Sequence, residues 1–384
     1  MKNNLHSSFL LSLWVLSFVL VWEGTSAQSY SYTVSTLIPA NTHLLDDGIC
    51  LDEKGVIYGS YWGIWQGATG THVGRLRPDG SMDTLSTGYN HPNGMSYKDG
   101  TLYLANSGQS QVVTIDTNGN SQVIAGVPGV SNVIPVLGTT DSLVAVAWQG
   151  SRFFGIRNGN VTTLATGGGL NGPVGMAYDT AGNLYVGNFN NGRILHYQGN
   201  GQFTTIADIG GGSGFITYSD GAILATNHSN KRVYRVDLAD SSVSVIAGSG
   251  QAVMADGEGT NASFASPNGI VATPSGDTIY VSEFQAKALR MIVRTPVITA
   301  IEAAMQPEVV VYPVPTFDRL RFGQDLPEDL YQVFIYDMEG RLIEVVENPQ
   351  DGIDTSGWGN GIYQVVGMNR IGKALFQIKV PKSE

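Results

Sequence analysis

Residues 269–281 read Gly-Ile-Val-Ala-Thr-Pro-Ser-Gly-Asp-Thr-Ile-Tyr-Val, two glycines seven positions apart followed by a β-branched and aromatic strand. The same phrase recurs along the chain. Gly48 and Gly55 precede Val56-Ile57-Tyr58, Gly175 and Gly182 precede Leu184-Tyr185-Val186, and Gly214 and Gly221 precede Ile223-Leu224-Ala225. Gly94 and Gly100, before Leu102-Tyr103-Leu104, stand one residue closer. A sixth copy around Leu143-Val144-Ala145-Val146 keeps the strand and has lost the glycines. Copies continue with a third strand (residues 112–115, 194–197, 233–236) and a fourth (82–85, 161–164, 203–206, 243–246).

Four strands in every repeat of about 40 to 50 residues predict blades packed radially in a β-propeller. The last copy lacks a fourth strand, because the chain leaves after residues 289–292. The missing piece stands at the other end, where residues 34–37, Val-Ser-Thr-Leu, resemble the other fourth strands. The prediction is an all-β chain: a six-bladed β-propeller closed by its N-terminal strand, plus a small C-terminal Ig-like β-sandwich. Closure removes the unpaired sheet edges that invite aggregation.

Composition agrees. Charged residues make up 14%, glycines number 49 and the apolar share is 42%, which suits short strands and tight turns over a real core rather than disorder. The net charge of -11 argues against nucleic acid or an anionic membrane as main partner. Cys50 is the single cysteine, so no internal disulfide forms, and its apolar surroundings read as core.

At the N-terminus, Lys2, an apolar run over residues 9–22 and the small residues Thr25-Ser26-Ala27 predict a signal peptide over residues 1–27, with an uncleaved anchor as the alternative. The expected propeller spans 28–294, a linker 295–307 and a C-terminal domain 308–384. No transmembrane segment is expected in the mature chain.

Two resemblances refine this reading. Residues 247–281, through Ala247-Gly248-Ser249-Gly250, Asp256-Gly257, Ala262, Phe264 and Pro267-Asn268-Gly269-Ile270, resemble an NHL repeat, with shorter matches at His91-Pro92-Asn93-Gly94 and Gly172-Pro173-Val174-Gly175. The region as a whole looks like the NHL and gluconolactonase-like six-bladed propellers, a fold that hosts both binding proteins and hydrolases. Toward the C-terminus, residues 311–316 (Val-Tyr-Pro-Val-Pro-Thr), residues 333–342, Gly361-Ile362-Tyr363 and Lys379-Val380 resemble the type A sorting domain of type IX secretion substrates in Bacteroidetes. Val314 stands where that family usually has Asn. The resemblance implies export through the type IX machinery, after periplasmic transit, to the medium or the outer-membrane surface.

In a propeller, the residues leading into each innermost strand and those leaving each second strand share one face around the central channel. The lead-in residues are Asp47, Asn93, Val174, Ser213 and Asn268, with Asn132 a shifted equivalent; the exits are Tyr61, Asn106, Trp148, Asn188, Asn227 and Glu283. Carboxylate and amide oxygens suit a hard cation such as Ca²⁺. The gluconolactonase-like resemblance implies a divalent metal held by Asp47, Asn93 and Asn268, with Val174 and Ser213 departing from the pattern. Asp47, Glu283 and His228 are the candidates for a catalytic base. The competing reading makes these Asn-Gly and Asp-Gly pairs turn chemistry. Tyr61, Trp62, Trp65, Trp148, Phe189 and Phe284 gather rings on the same face, as stacking on a sugar or other flat ligand requires. With Asn106, Asn188 and Asn227 they form the expected ligand-binding set.

No nucleophile elbow, zinc helix or phosphate loop is present in the sequence. The favoured expectation is a secreted or surface propeller binding a small ligand, glycan or peptide at the channel mouth. A Ca²⁺-dependent lactonase or esterase is the alternative, and an empty scaffold the third.

Overall fold

The structure is a computed structural model of the 384-residue chain and describes residues 29–41, 45–63, 70–297, 309, 311–316, 318–323, 326–337, 341–347, 349–370 and 374–383. The signal peptide expected over 1–27, Trp65 and most of the expected linker lie outside the described residues. One compact unit comprises Tyr30–Val297, and the C-terminal part of the chain, from Ile298, belongs to a second.

The described strands of the first unit form six antiparallel sheets in chain order. The first runs Ile49–Leu51, Ile57–Ser60, His72–Leu76 and Met82–Thr87, and the second Pro92–Lys98, Thr101–Asn106, Gln111–Asp116 and Ser121–Gly126. The third comprises Val130–Pro135, Ser142–Ala147, Arg152–Arg157 and Asn160–Thr166, and the fourth Pro173–Tyr178, Leu184–Asn188, Arg193–Gly199 and Gln202–Asp208. The fifth comprises Ser213–Ser219, Ala222–Asn227, Arg232–Asp237 and Val243–Ala247. The sixth places Pro267–Ala272, Thr278–Glu283 and Ala288–Val297 beside the N-terminal strand Ser29–Ile38, with Gly257–Glu258 added on its far side. The first strands of the six sheets touch one another in sequence order, and the sixth touches the first again, a closed cycle. This is a β-propeller.

The N-terminal strand sits where the sequence placed it and is gripped on both edges, pairing Thr33 with Glu258 and Val34 with Gly257 on the outer one. Asp256 ties the grip to the sheet. Its Oδ1 accepts Thr36 Oγ1 at 2.8 Å and the buried Arg290 Nη2 at 2.9 Å. The added outer strand was not legible, because two residues carry no periodicity.

The two glycines of the repeat have different causes. The second is a turn glycine: Gly55, Gly182, Gly221 and Gly276 have φ of 79°, 86°, 70° and 73°, where a Cβ is strained. The first marks close approach of adjacent sheets. A Cβ on Gly48 would lie 2.7 Å from the Gly94 Cα, one on Gly175 2.7 Å from the Ile216 nitrogen, and one on Gly269 2.2 Å from the Asp47 carbonyl oxygen.

Apolar residues of neighbouring sheets fill the wedges between them, as where Cys50 and Tyr58 of the first sheet pack with Met95, Leu104 and Val113 of the second. Burial pushes the Cys50 thiol pKa up, so it is an inert core residue.

In the C-terminal unit, a three-stranded sheet (Val311–Tyr312, Arg319–Phe322, Ile353–Asp354) and a four-stranded sheet ordered Leu342–Glu347, Leu330–Tyr336, Gly361–Asn369, Ala374–Lys382 share one core. Leu320 and Ile353 from the first sheet meet Val333, Ile335, Val365, Phe376 and Val380 from the second. No helix among the described residues is long and apolar enough to cross a membrane.

Candidate functional site at one end of the sheets

Strand register places each candidate. Pro92 pairs with Asn106, Pro173 with Asn188, Ser213 with Asn227 and Pro267 with Glu283. These four second-strand exits lie opposite the starts of their own inner strands and are at most 1% exposed. Their polar atoms are engaged. Asn106 Oδ1 accepts the Asn90 amide at 2.9 Å, and Asn188 Oδ1 accepts the Asn171 amide at 3.0 Å. Asn227 Nδ2 donates to the Ile209 carbonyl at 2.9 Å, and Glu283 accepts the Ala265 and Ser266 amides at 3.2 and 2.5 Å.

Each exit therefore braces the loop that leads into its own inner strand. Asn106, Asn188 and Asn227, expected as ligand-binding groups, and Glu283, expected as a base, are buried and engaged in this bracing. Glu283 also lies 3.5 Å from Arg290 Nη1. A buried backbone amide or carbonyl left without a partner costs about 1–3 kcal/mol, which explains why amide or carboxylate side chains recur at this position.

A second repeated device stands one residue earlier. Ser60 Oγ donates to the Asn93 carbonyl at 2.6 Å and Ser282 Oγ to the Asp47 carbonyl at 2.7 Å, while Thr226 Oγ1 donates to the Asn268 carbonyl. Each hydroxyl reaches the next sheet around the cycle. The sequence carried this signal as Ser-Tyr, Thr-Asn and Ser-Glu pairs at the strand ends, and it went unread.

The lead-in residues need two corrections of register. In the fifth sheet Ser213 aligns with Pro267, so Gly214, not Ser213, matches Asn268. In the third, Asn132 lies opposite Val146 as Gly175 lies opposite Gly187, so Ser131 is the equivalent residue. The positions around the cycle are therefore Asp47, Asn93, Ser131, Val174, Gly214 and Asn268.

Asn268 Nδ2 donates to Asp47 Oδ1, and Asn93 stands on the other side of Asp47, its carbonyl 2.8 Å from where a Gly48 Cβ would be. The three candidates are thus consecutive, yet the carboxylate is 3% exposed and already bonded. Burial, then repulsion from Asp46, pushes the Asp47 carboxyl well above the usual range against the pull of Asn268. Val174 and Gly214 bring no side-chain oxygen, and the Ser131 hydroxyl donates to the Val146 and Pro173 carbonyls. One engaged carboxylate and two amides fall short of the six to eight oxygens that Ca²⁺ takes, so the residues do not fit the ion. Among the described residues, no group of three His, Cys, Asp or Glu stands together.

Asp46, which the sequence reading passed over, holds the start of the long first-sheet loop. It is fully buried and accepts the Trp62 amide at 2.7 Å and the Gly63 amide at 3.2 Å. Burial pushes its carboxyl up to about 7 although those two amides pull it down.

The rings share a register that the sequence reading saw only in part. The exit of the third sheet is Ala147, which pairs with Val130, so Trp148 stands one residue beyond the exit rather than at it. The residue one past the exit is Trp62, Ser107, Trp148, Phe189, His228 and Phe284 in sheets one to six, a ring in five of the six. Trp148 is 40% exposed, and a Cβ on Gly172 would lie 2.8 Å from its indole atoms. The Trp62 ring lies 4.8 Å from His91, and His228 stands edge-on to Phe284 at 6.2 Å. Burial lowers the His228 pKa to about 4, leaving the imidazole neutral at neutral pH. Tyr61 stacks on His72 at 4.9 Å and accepts Lys287 Nζ on its hydroxyl at 2.7 Å. Among the described residues no hydrogen bond links Asp47, Glu283 and His228 to one another.

Known proteins bear on both units. Residues 170–197 match the NHL repeat, and residues 310–376 match the secretion system C-terminal sorting domain. The chain carries an NHL repeat and a C-terminal sorting domain. The sorting domain indicates a secreted or cell-surface protein and implies the type IX secretion machinery as its export partner. Comparison with curated proteins gives no match.

Solved structures share the propeller at low identity. A Bacteroides thetaiotaomicron protein of unknown function is 15% identical with a TM-score of 0.57, over 70% of this chain and 77% of that one. An auxiliary nutrient binding protein from the same organism is 12% identical with a TM-score of 0.56, over 69% and 77%. A gluconolactonase from Xanthomonas campestris is 12% identical with a TM-score of 0.51, over 68% and 89%. At these identities the likeness speaks for the fold alone.

Proposed function

We propose that the protein is a six-bladed propeller, displayed on the cell surface or released, that binds a small ligand, glycan or peptide at the channel mouth. Its C-terminal unit, an Ig-like sandwich in this reading, serves export after signal-peptide cleavage and periplasmic transit. The observation that carries the binding reading is the ring-bearing position one past the exit in five of six sheets. Structural bracing does not require aromatic residues there, because the braces lie one residue earlier. Half-exposed rings around a rigid channel offer apolar area at little entropic cost.

The test is a saccharide and peptide panel titrated against the full chain, read by intrinsic tryptophan fluorescence. A ligand whose affinity falls at least about tenfold in Trp148→Ala, with melting unchanged, supports the reading. Ligands that bind the variant as well as the parent overturn it.

A calcium-dependent lactonase or esterase is the second reading, and the adjacency of Asn268, Asp47 and Asn93 favours it. The short donor set and the engaged Glu283 count against it. Calcium-dependent turnover of a lactone that disappears in Asp47→Ala would reverse this ranking.

A further inference from the structure

At the end carrying the first hairpins, arginines are paired: Arg75 with Asp83 at 2.7 Å, Arg157 with Asp141 at 3.1 Å, Arg235 with Asp237 at 2.6 Å and Arg294 with Asp220 at 2.5 Å. At the mouth end Arg193 lies 3.7 Å from Asp208 and the buried Arg290 pairs with Asp256 and Glu283, whereas Lys231, Arg232 and Lys287 make no ion pair among the described residues. The carboxylates facing the two lysines are Glu283 for Lys231 and Asp46 for Lys287. Both are fully buried. Glu283 is occupied by two amides and Arg290, and Asp46 by the Trp62 and Gly63 amides.

The lysines stand in one continuous arc across sheets five, six and one. Lys231 Nζ donates to the His228 carbonyl at 2.6 Å, and the His228 ring meets Phe284 at 6.2 Å. Three residues beyond Phe284, in the same sixth-sheet loop, Lys287 bonds the Tyr61 hydroxyl and lies 4.7 Å from that ring's centre. Two ammonium groups are thus held in place by neutral acceptors, with unsatisfied charge beside half-exposed rings, in a chain whose net charge is -11. Two fixed ammonium groups without an ion pair at the mouth of a chain that is acidic overall attract anions there.

Resting on the binding reading above, we infer that the mouth takes an acidic saccharide, its carboxylate or sulfate groups meeting Lys231 and Lys287 and its sugar rings lying against the aromatic positions.

The test titrates oligogalacturonate and its methyl ester, the same sugar without charge, against the full chain at low and moderate salt. A heparin-derived oligosaccharide serves as the sulfated arm. The acid form should bind at least about tenfold tighter than the ester and weaken about tenfold as salt rises through the range where surface charges are screened. The double variant Lys231→Asn, Lys287→Asn should lose that preference while melting as the parent does. Asn suits both positions, whose φ values are 60° and 51°. Binding of the heparin oligosaccharide in place of oligogalacturonate, lost in the double variant, supports the inference with sulfate as the anion. Binding of neither anionic probe, or acid binding that survives the double variant, overturns it. Equal affinity for acid and ester, lost in Trp148→Ala, discards the charge preference and leaves the ring-lined mouth standing.

Discussion

The Asn268 side chain donates its amide to the Asp47 carboxylate, joining the sixth sheet to the first. The Ser282 hydroxyl closes the same seam by donating to the Asp47 carbonyl at 2.7 Å. Two residues more than two hundred positions apart thus bond across the join.

Asn268→Ala leaves a buried carboxyl group without its donor. It should destabilise the propeller by about 1–3 kcal/mol, read as a lower midpoint in urea unfolding with an unchanged slope. A midpoint equal to the parent's would show that the seam does not depend on this bond.

Asp46 makes stability depend on pH. Burial raises its folded pKa to about 7, above the ordinary aspartate value of 3.8, so the folded state binds the proton more tightly than the unfolded one. The contribution is complete below about pH 4 and is lost as pH rises through 7, to an upper bound of ~4 kcal/mol. Asp47, shifted the same way, adds to the trend. Melting temperature should fall between pH 5 and 7.5, and Asp46→Asn should flatten that fall. A parent whose melting temperature rises over this window contradicts the prediction.

The two glycine classes should respond differently to alanine. Gly269→Ala drives a methyl group to 2.2 Å from the Asp47 carbonyl oxygen and 2.6 Å from Ser282 Oγ. Severe destabilisation or insoluble protein is expected. Gly221→Ala meets nothing within 4 Å and suffers only from a φ of +70°, which costs about 1 kcal/mol. Gly221→Asn should lie nearer the parent still. Thermal melts of the three variants give the order directly.

Calcium should leave the melting temperature where EDTA leaves it, since the oxygen donors at the mouth are few and engaged. A native-state ligand stabilises by mass action, so a midpoint that climbs steadily with calcium concentration would restore the metal reading.

The strands were legible because β-branched and aromatic runs alternate between turn glycines, and residues 34–37 announced the closing strand by matching the other fourth strands. The site was legible only to within a residue. In the fifth sheet the hairpin Ser219 to Ala222 has two residues between paired positions, whereas in the sixth Ala272 pairs with Ile279. Equal glycine spacing therefore hides unequal register, and it set Ser213 where Gly214 belongs. The asparagines misled for a chemical reason: an amide that braces a buried loop and one that grips a ligand look alike until their partners are seen. Trp148 was found as a ring but placed one position early, because its sheet lacks the glycines that mark the register elsewhere.

The N-terminal strand, held between Ala288–Val297 and Gly257–Glu258, also governs when the molecule becomes complete. Its partners emerge from the ribosome only after nearly the whole first unit has been made. Contacts of such long sequence separation form slowly, because a large loop must close before any bond rewards it. A chain built this way stays open-ended during synthesis and locks last, when Ser29–Ile38 docks beside Ala288–Val297.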